Sequence, residues 1–77
     1  MKIDLQQIAE RASEVMNRPC FARRWNKHGH DHIYISYTTA AGNVKSVGYI
    51  DLDRGTVVPA KKGRQREALL RAMEVIA

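Results

Sequence analysis

The stretch from Cys20 to Pro59, CFARRWNKHGHDHIYISYTTAAGNVKSVGYIDLDRGTVVP, alternates with a period of two between three glycine-bearing turns. That pattern is the mark of an antiparallel meander. The turns fall at Lys27 to His30, Thr39 to Asn43 and Asp53 to Gly55, and each has a glycine able to take positive φ. They delimit strands over about Cys20 to Asn26, His32 to Thr38 and Val44 to Asp51. A short fourth strand, Thr56 to Val58, ends at Pro59.

On the N-terminal side, Asp4 is a good helix cap, Gln7 completes a capping box, and Ile3 can pack on Ile8 as a hydrophobic staple. Leu5, Ile8, Ala9, Ala12, Val15 and Met16 follow the helical period. Gln6, Glu10, Ser13 and Glu14 fall on the opposite, solvated face, and Pro19 stops the helix near Asn17 or Arg18. On the C-terminal side a second helix is expected over about Arg64 to Ile76, with Ala68, Leu69, Ala72, Met73 and Ile76 as its apolar stripe. Two helices with one apolar face each need one sheet face to cover. The predicted fold is therefore a two-layer α+β domain spanning residues 1–77, of order α-β-β-β-(β)-α, with both helices on one side of the meander.

Apolar residues make up 44% and charged residues 27% of the chain, a globular composition. The single cysteine, Cys20, rules out an internal disulfide and a cysteine-based zinc framework. No signal-peptide pattern opens the chain and no long apolar run interrupts it. A soluble cytoplasmic protein is expected, with no membrane association.

The net charge of +5 is uneven. It is −1 over residues 1–17, +3 over 18–32, zero over 33–60 and +3 over 61–77. Clustered positive charge favours polyanions, most often nucleic acid. Lys61, Lys62, Arg64 and Arg66 stand where the second helix begins, although a helix N-terminus already carries roughly half a positive charge. A local rule broken without compensation points to function, and a basic helix N-terminus suits an anion. Arg23, Arg24 and Lys27 form the second basic block.

In the second strand, Ile33, Ile35 and Tyr37 share the core face and leave His32, Tyr34, Ser36 and Thr38 outside. In the first, Cys20 and Ala22 face the helices and Phe21, Arg23, Trp25 and Lys27 face away. For the third, alternation leaves open whether Val44, Ser46, Gly48 and Ile50 or Lys45, Val47, Tyr49 and Asp51 are buried. If the second set is outward, Trp25, Tyr34 and Tyr49 join Arg23 and Lys45 in a platform able to stack bases. Two further readings of that surface remain: a protein or homodimer interface, and a plain exposed sheet face.

His28, His30, Asp31 and His32 are the one cluster with metal-ligating character. It sits on a single hairpin tip, whereas a metal site recruits ligands from several elements, and no downstream ligand motif follows. No metal or cofactor is expected. Asp51, Asp53 and Gly55 resemble the start of a calcium loop, but the glycine comes one position early and Lys62 takes the place of the closing glutamate, so a β-turn is expected. No nucleophile elbow, phosphate-binding glycine loop or dinucleotide fingerprint occurs. Cys20 follows Pro19 in a strand, a packing position, and no enzyme activity is expected.

The order helix, three strands, helix, with Lys61, Lys62, Arg64 and Arg66 opening the last helix, resembles the double-stranded-RNA-binding domain. The resemblance implies that these four side chains hold phosphates while the tip from His28 to His30 enters a minor groove. The alanine-rich second helix and the lysine pair inside its first turn are not reproduced, and the turn at Asp53 to Gly55 is additional. The functional expectation is a small nucleic-acid-binding module gripping phosphates through Lys61, Lys62, Arg64 and Arg66, supported by Arg23, Arg24, Lys27, Trp25, Tyr34 and Lys45. The alternative is a small accessory or inhibitory protein, of the kind mobile elements encode, that docks on another protein or forms a homodimer.

Overall fold

Asp4 caps the first helix, α1 (Leu5–Met16), by accepting at Oδ1 a hydrogen bond of 3.1 Å from the Gln7 N–H. Asn17 closes α1 in a left-handed conformation, its N–H donating to the Ser13 carbonyl at 2.8 Å. The computed structural model describes residues 3–76. After α1 come β1 (Cys20–Lys27), β2 (His30–Thr38), β3 (Val44–Asp51), β4 (Thr56–Val58) and α2 (Arg64–Met73), then a 3₁₀ turn over Glu74–Ile76. Ser13 is half-buried and not merely solvated. Its hydroxyl donates to the Ala9 carbonyl at 2.7 Å and accepts from the Cys20 N–H at 2.8 Å, tying α1 to the start of β1.

The four strands form one antiparallel sheet in the order β1-β2-β3-β4. The first hairpin turns in two residues, with φ of 54° at His28 and 77° at Gly29, the pattern that matches strand twist. That tight turn extends β1 to Lys27 and starts β2 at His30, earlier than alternation alone predicts. The last hairpin is the expected β-turn: Asp51 Oδ1 accepts from the N–H groups of Asp53 (3.0 Å) and Arg54 (3.2 Å).

Ile8 and Ala12 of α1 meet Ala68, Leu69 and Ala72 of α2 over Ile33, Ile35, Val47, Ile50 and Val57 of the sheet, and Ile76 completes the same buried cluster. Both helices therefore cover one sheet face and leave the other bare. β3 settles its parity with a bulge. Ile35 pairs with Gly48 but Ser36 pairs with Ser46, so Val47 is the extra residue. Val47 and Ile50 both reach the core as a result, at 1% and 0% exposure. The extra residue also inverts the faces of everything before it in β3.

Candidate nucleic-acid interface

Strand register sets the bare face row by row, because directly paired residues point the same way. One row is Arg23, Tyr34, Tyr49 and Val58; the next is Trp25, His32, Asp51 and Thr56. Phe21 pairs with Ser36 at one end of this surface and Lys27 with His30 at the other. Phe21, Trp25 and Tyr34 are 48%, 40% and 39% exposed, large values for rings that a core would use.

His32, Tyr34 and Tyr49 pack on one another, and Trp25 carries a cation. Tyr34 and Tyr49 lie 5.2 Å apart, His32 stacks on Tyr49 at 4.6 Å and 20°, and Lys27 Nζ sits 5.1 Å from the Trp25 ring centroid. Phe21, Arg23, Trp25, Tyr34, Ser36 and Val44 line an open groove across β1, β2 and the start of β3. Its chemistry is flat apolar surface with a cation beside it, which suits a planar, anionic ligand.

Lys45, which joins this surface only if its set of β3 residues faces outward, does not belong to it. Lys45 pairs with Tyr37 and so points to the helix side of the sheet; the bulge at Val47 reversed its face. Arg24 pairs with Ile33 and also lies on the helix side, because a strand turns successive side chains to opposite faces. Its guanidinium grips Asp31 with two hydrogen bonds of 2.9 and 2.7 Å. That contact holds the Asp31 carboxyl below its usual range and raises the Arg24 pKa. Arg24 is thus already committed to a carboxylate.

Lys61 and Lys62 are exposed in the loop before α2, Arg64 is exposed in its first turn, and Arg66 is half-buried. Gly63 is the N-cap and supplies no side-chain hydrogen bond, so the first N–H groups of α2 have no capping side chain. Within 4.0 Å the described carboxylates pair with Arg24, Arg54, Arg71 and His32. Arg23, Lys27, Lys61, Lys62, Arg64 and Arg66 have no carboxylate partner among the described residues. These free cations fall in two groups, one on the outer strand β1 and one between the outer strand β4 and the first turn of α2. Three strand spacings, roughly 14 Å, separate β1 from β4.

The double-stranded-RNA-binding arrangement is not reproduced. β3 runs toward the end of the sheet that holds the His28–Gly29 tip, and the added β4 turns back antiparallel to it. α2 therefore starts from the opposite edge of the sheet, behind a strand heading away from the tip. A two-residue turn is also a short probe for a minor groove.

Cys20 is half-buried, and burial pushes its thiol pKa up, with Ser13 and Arg18 partly opposing the shift. A raised pKa makes a poor nucleophile. No described helix is long and apolar enough to cross a membrane. Comparison with protein-family models, curated proteins and solved structures gave no match.

Proposed function

We propose that this protein is a small non-enzymatic module of the cytoplasm that binds single-stranded nucleic acid on the bare face of its sheet. The observation that carries the reading is the set of uncovered rings on one sheet face, Phe21, Trp25 and Tyr34, beside the unpaired cations Arg23 and Lys27. Bases stack on Trp25 and Tyr34, with Arg23 and Lys27 on adjacent phosphates. Sheet-borne aromatics serve single strands because every base has a π-face and an unpaired base is free to lie flat on a ring. Lys61, Lys62, Arg64 and the uncapped α2 N-terminus supply a second phosphate contact beyond the β4 edge.

A second reading has its own observation. Val44 and Val58, 67% and 41% exposed, flank the rings on the same face. They suit a second copy of the chain or another protein, as in an accessory or inhibitory docking role.

Anisotropy of labelled single-stranded and duplex oligonucleotides separates the two. Single strands are expected to bind more tightly than duplexes, with log K falling against log salt by about 0.7 per phosphate contacted. Trp25→Ala should weaken single-strand binding by about 1–3 kcal/mol, roughly five- to 150-fold. Failure to bind any oligonucleotide, together with a dimer by light scattering that Trp25→Ala dissociates, would replace this reading with the second.

A further inference from the structure

The three histidines near the first hairpin look like a local feature of one turn, but the fold separates them and brings in a distant carboxylate. His28 is drawn into the turn by its positive φ of 54°. His30 and His32 stand two apart on the bare face of β2, with ring centroids 5.6 Å apart. Asp53, more than twenty residues along the chain, arrives from the β3–β4 turn because His32 pairs with Asp51 in the sheet register. Its Oδ2 accepts a hydrogen bond of 2.9 Å from the Asp31 N–H, which fastens that turn across β2. One donor atom each from His30, His32 and Asp53 then lie within 4.8 Å of one another. The sequence places the histidines on a single hairpin tip with no ligand from another element, and in the fold Asp53 is such a ligand.

We infer that His30, His32 and Asp53 form a binding site for a divalent transition metal of the zinc class. Two imidazole nitrogens and one carboxylate oxygen are the donors such ions prefer, whereas calcium and magnesium take oxygen ligands. Around zinc, bonds of about 2.0–2.1 Å place tetrahedral donors about 3.3 Å apart. Donors within 4.8 Å therefore have to close by about 1.5 Å to meet that geometry. His30 is exposed, so its ring is open to rotation toward the other two donors. Three protein donors leave a fourth position for water or for a ligand from a partner.

The surroundings orient the half-buried ligand as a metal site requires. Asp51 Oδ2 lies 3.7 Å from His32 Nε2, and the Tyr34 hydroxyl lies 3.4 Å from Nδ1. With Nε2 turned to the ion, Nδ1 keeps the Tyr34 hydroxyl as a hydrogen-bonding neighbour, the arrangement that fixes tautomer and basicity, and the Asp51 carboxylate stays close enough to favour a cation. Stacking on Tyr49 restrains the ring plane. Arg54 lines the same cleft and opposes a cation. At 82% side-chain exposure it is free to turn into water, and the Asp51 carboxylate offsets its charge. The site would fasten the first hairpin to the third, and it does not depend on the nucleic-acid reading.

The test is titration of the full chain with zinc chloride by calorimetry, and with cobalt chloride followed by visible absorption. One ion per chain and the absorption of a low-symmetry, four-coordinate cobalt centre are expected. His30→Ala and Asp53→Asn should each weaken zinc at least about tenfold, while His28→Ala should leave affinity unchanged. Both ligand positions are exposed, so each variant is expected to keep its fold, which circular dichroism without metal checks. No stoichiometric zinc binding by the wild type overturns the site. So does Asp53→Asn binding as tightly as wild type, or His28→Ala losing as much as His30→Ala, since either reveals imidazoles acting as a loose cluster.

Discussion

Gly48→Ala should unfold much of this protein's margin of stability. Gly48 sits at the β3 bulge with φ of +144°, a conformation that side-chain-bearing residues avoid. A Cβ there would collide with the Val58 carbonyl oxygen and stand 2.8 Å from both Leu69 Cδ1 and Pro59 Cδ. Carbon pairs rest at about 3.5–4.0 Å, so each of those two contacts is short by roughly 0.7–1.2 Å. Leu69 can shift, but the Val58 oxygen is backbone held in the β3–β4 ladder. Overpacking costs about 1–3 kcal/mol and an unfavourable backbone conformation about 1–3 kcal/mol, together about 2–6 kcal/mol. A chain of this size has on the order of 4–12 kcal/mol in total. At about 4–8 °C per kcal/mol, even the lower figure removes roughly 8–16 °C of melting temperature. Urea unfolding followed by circular dichroism measures the loss. Gly42→Ala is the control, since its φ is also positive, at 87°, but nothing lies within 4 Å of an added Cβ. If Gly48→Ala lost no more than Gly42→Ala, the close approach of β4 and α2 over the bulge would be refuted.

Replacing Lys61, Lys62 and Arg64 together by alanine should move binding and stability in opposite directions. The salt slope for a single-stranded oligonucleotide should fall by about 2, while the melting temperature holds or rises slightly, because cations at a helix N-terminus oppose its dipole. An unchanged slope would remove this run from the interface. Cys20 should react with iodoacetamide more slowly than free cysteine at neutral pH, because its raised pKa leaves less thiolate at any given pH. The rate should climb only as the pH rises above the ordinary thiol range, and should jump in urea; a folded-state rate equal to that of free cysteine would contradict the burial.

The elements were legible because their signals are local. The Asp4 cap, the Pro19 stop, the glycine turns and the helical stripe through Leu69 and Ala72 each depend on neighbours in sequence. What sequence left obscure depends on pairing across strands. The bulge inserts Val47 between Gly48 and Ser46, and nothing in Val44 to Asp51 marks it except the glycine. The face of Lys45 therefore stays open in the sequence, and the bulge turns it to the helix side. Arg23 and Arg24 count as one basic block in the sequence, and the strand sends them to opposite faces. The rings on the bare face were readable from alternation in β1 and β2. Their row partners were not, because register needed the two-residue turn at His28–Gly29. Asp53 joined His30 and His32 only through that same register, at a sequence distance no spacing motif covers.

The central claim is that the bare sheet face holds a single strand. An NMR titration of isotope-labelled protein with single-stranded RNA, single-stranded DNA and matching duplexes, at low and at physiological salt, tests it residue by residue. The account predicts shifts for single strands centred on Phe21, Arg23, Trp25, Tyr34 and Tyr49 that persist at physiological salt, with a second set at residues 61–64. Flat spectra at physiological salt, or shifts confined to residues 61–66 with the rings silent, would contradict it.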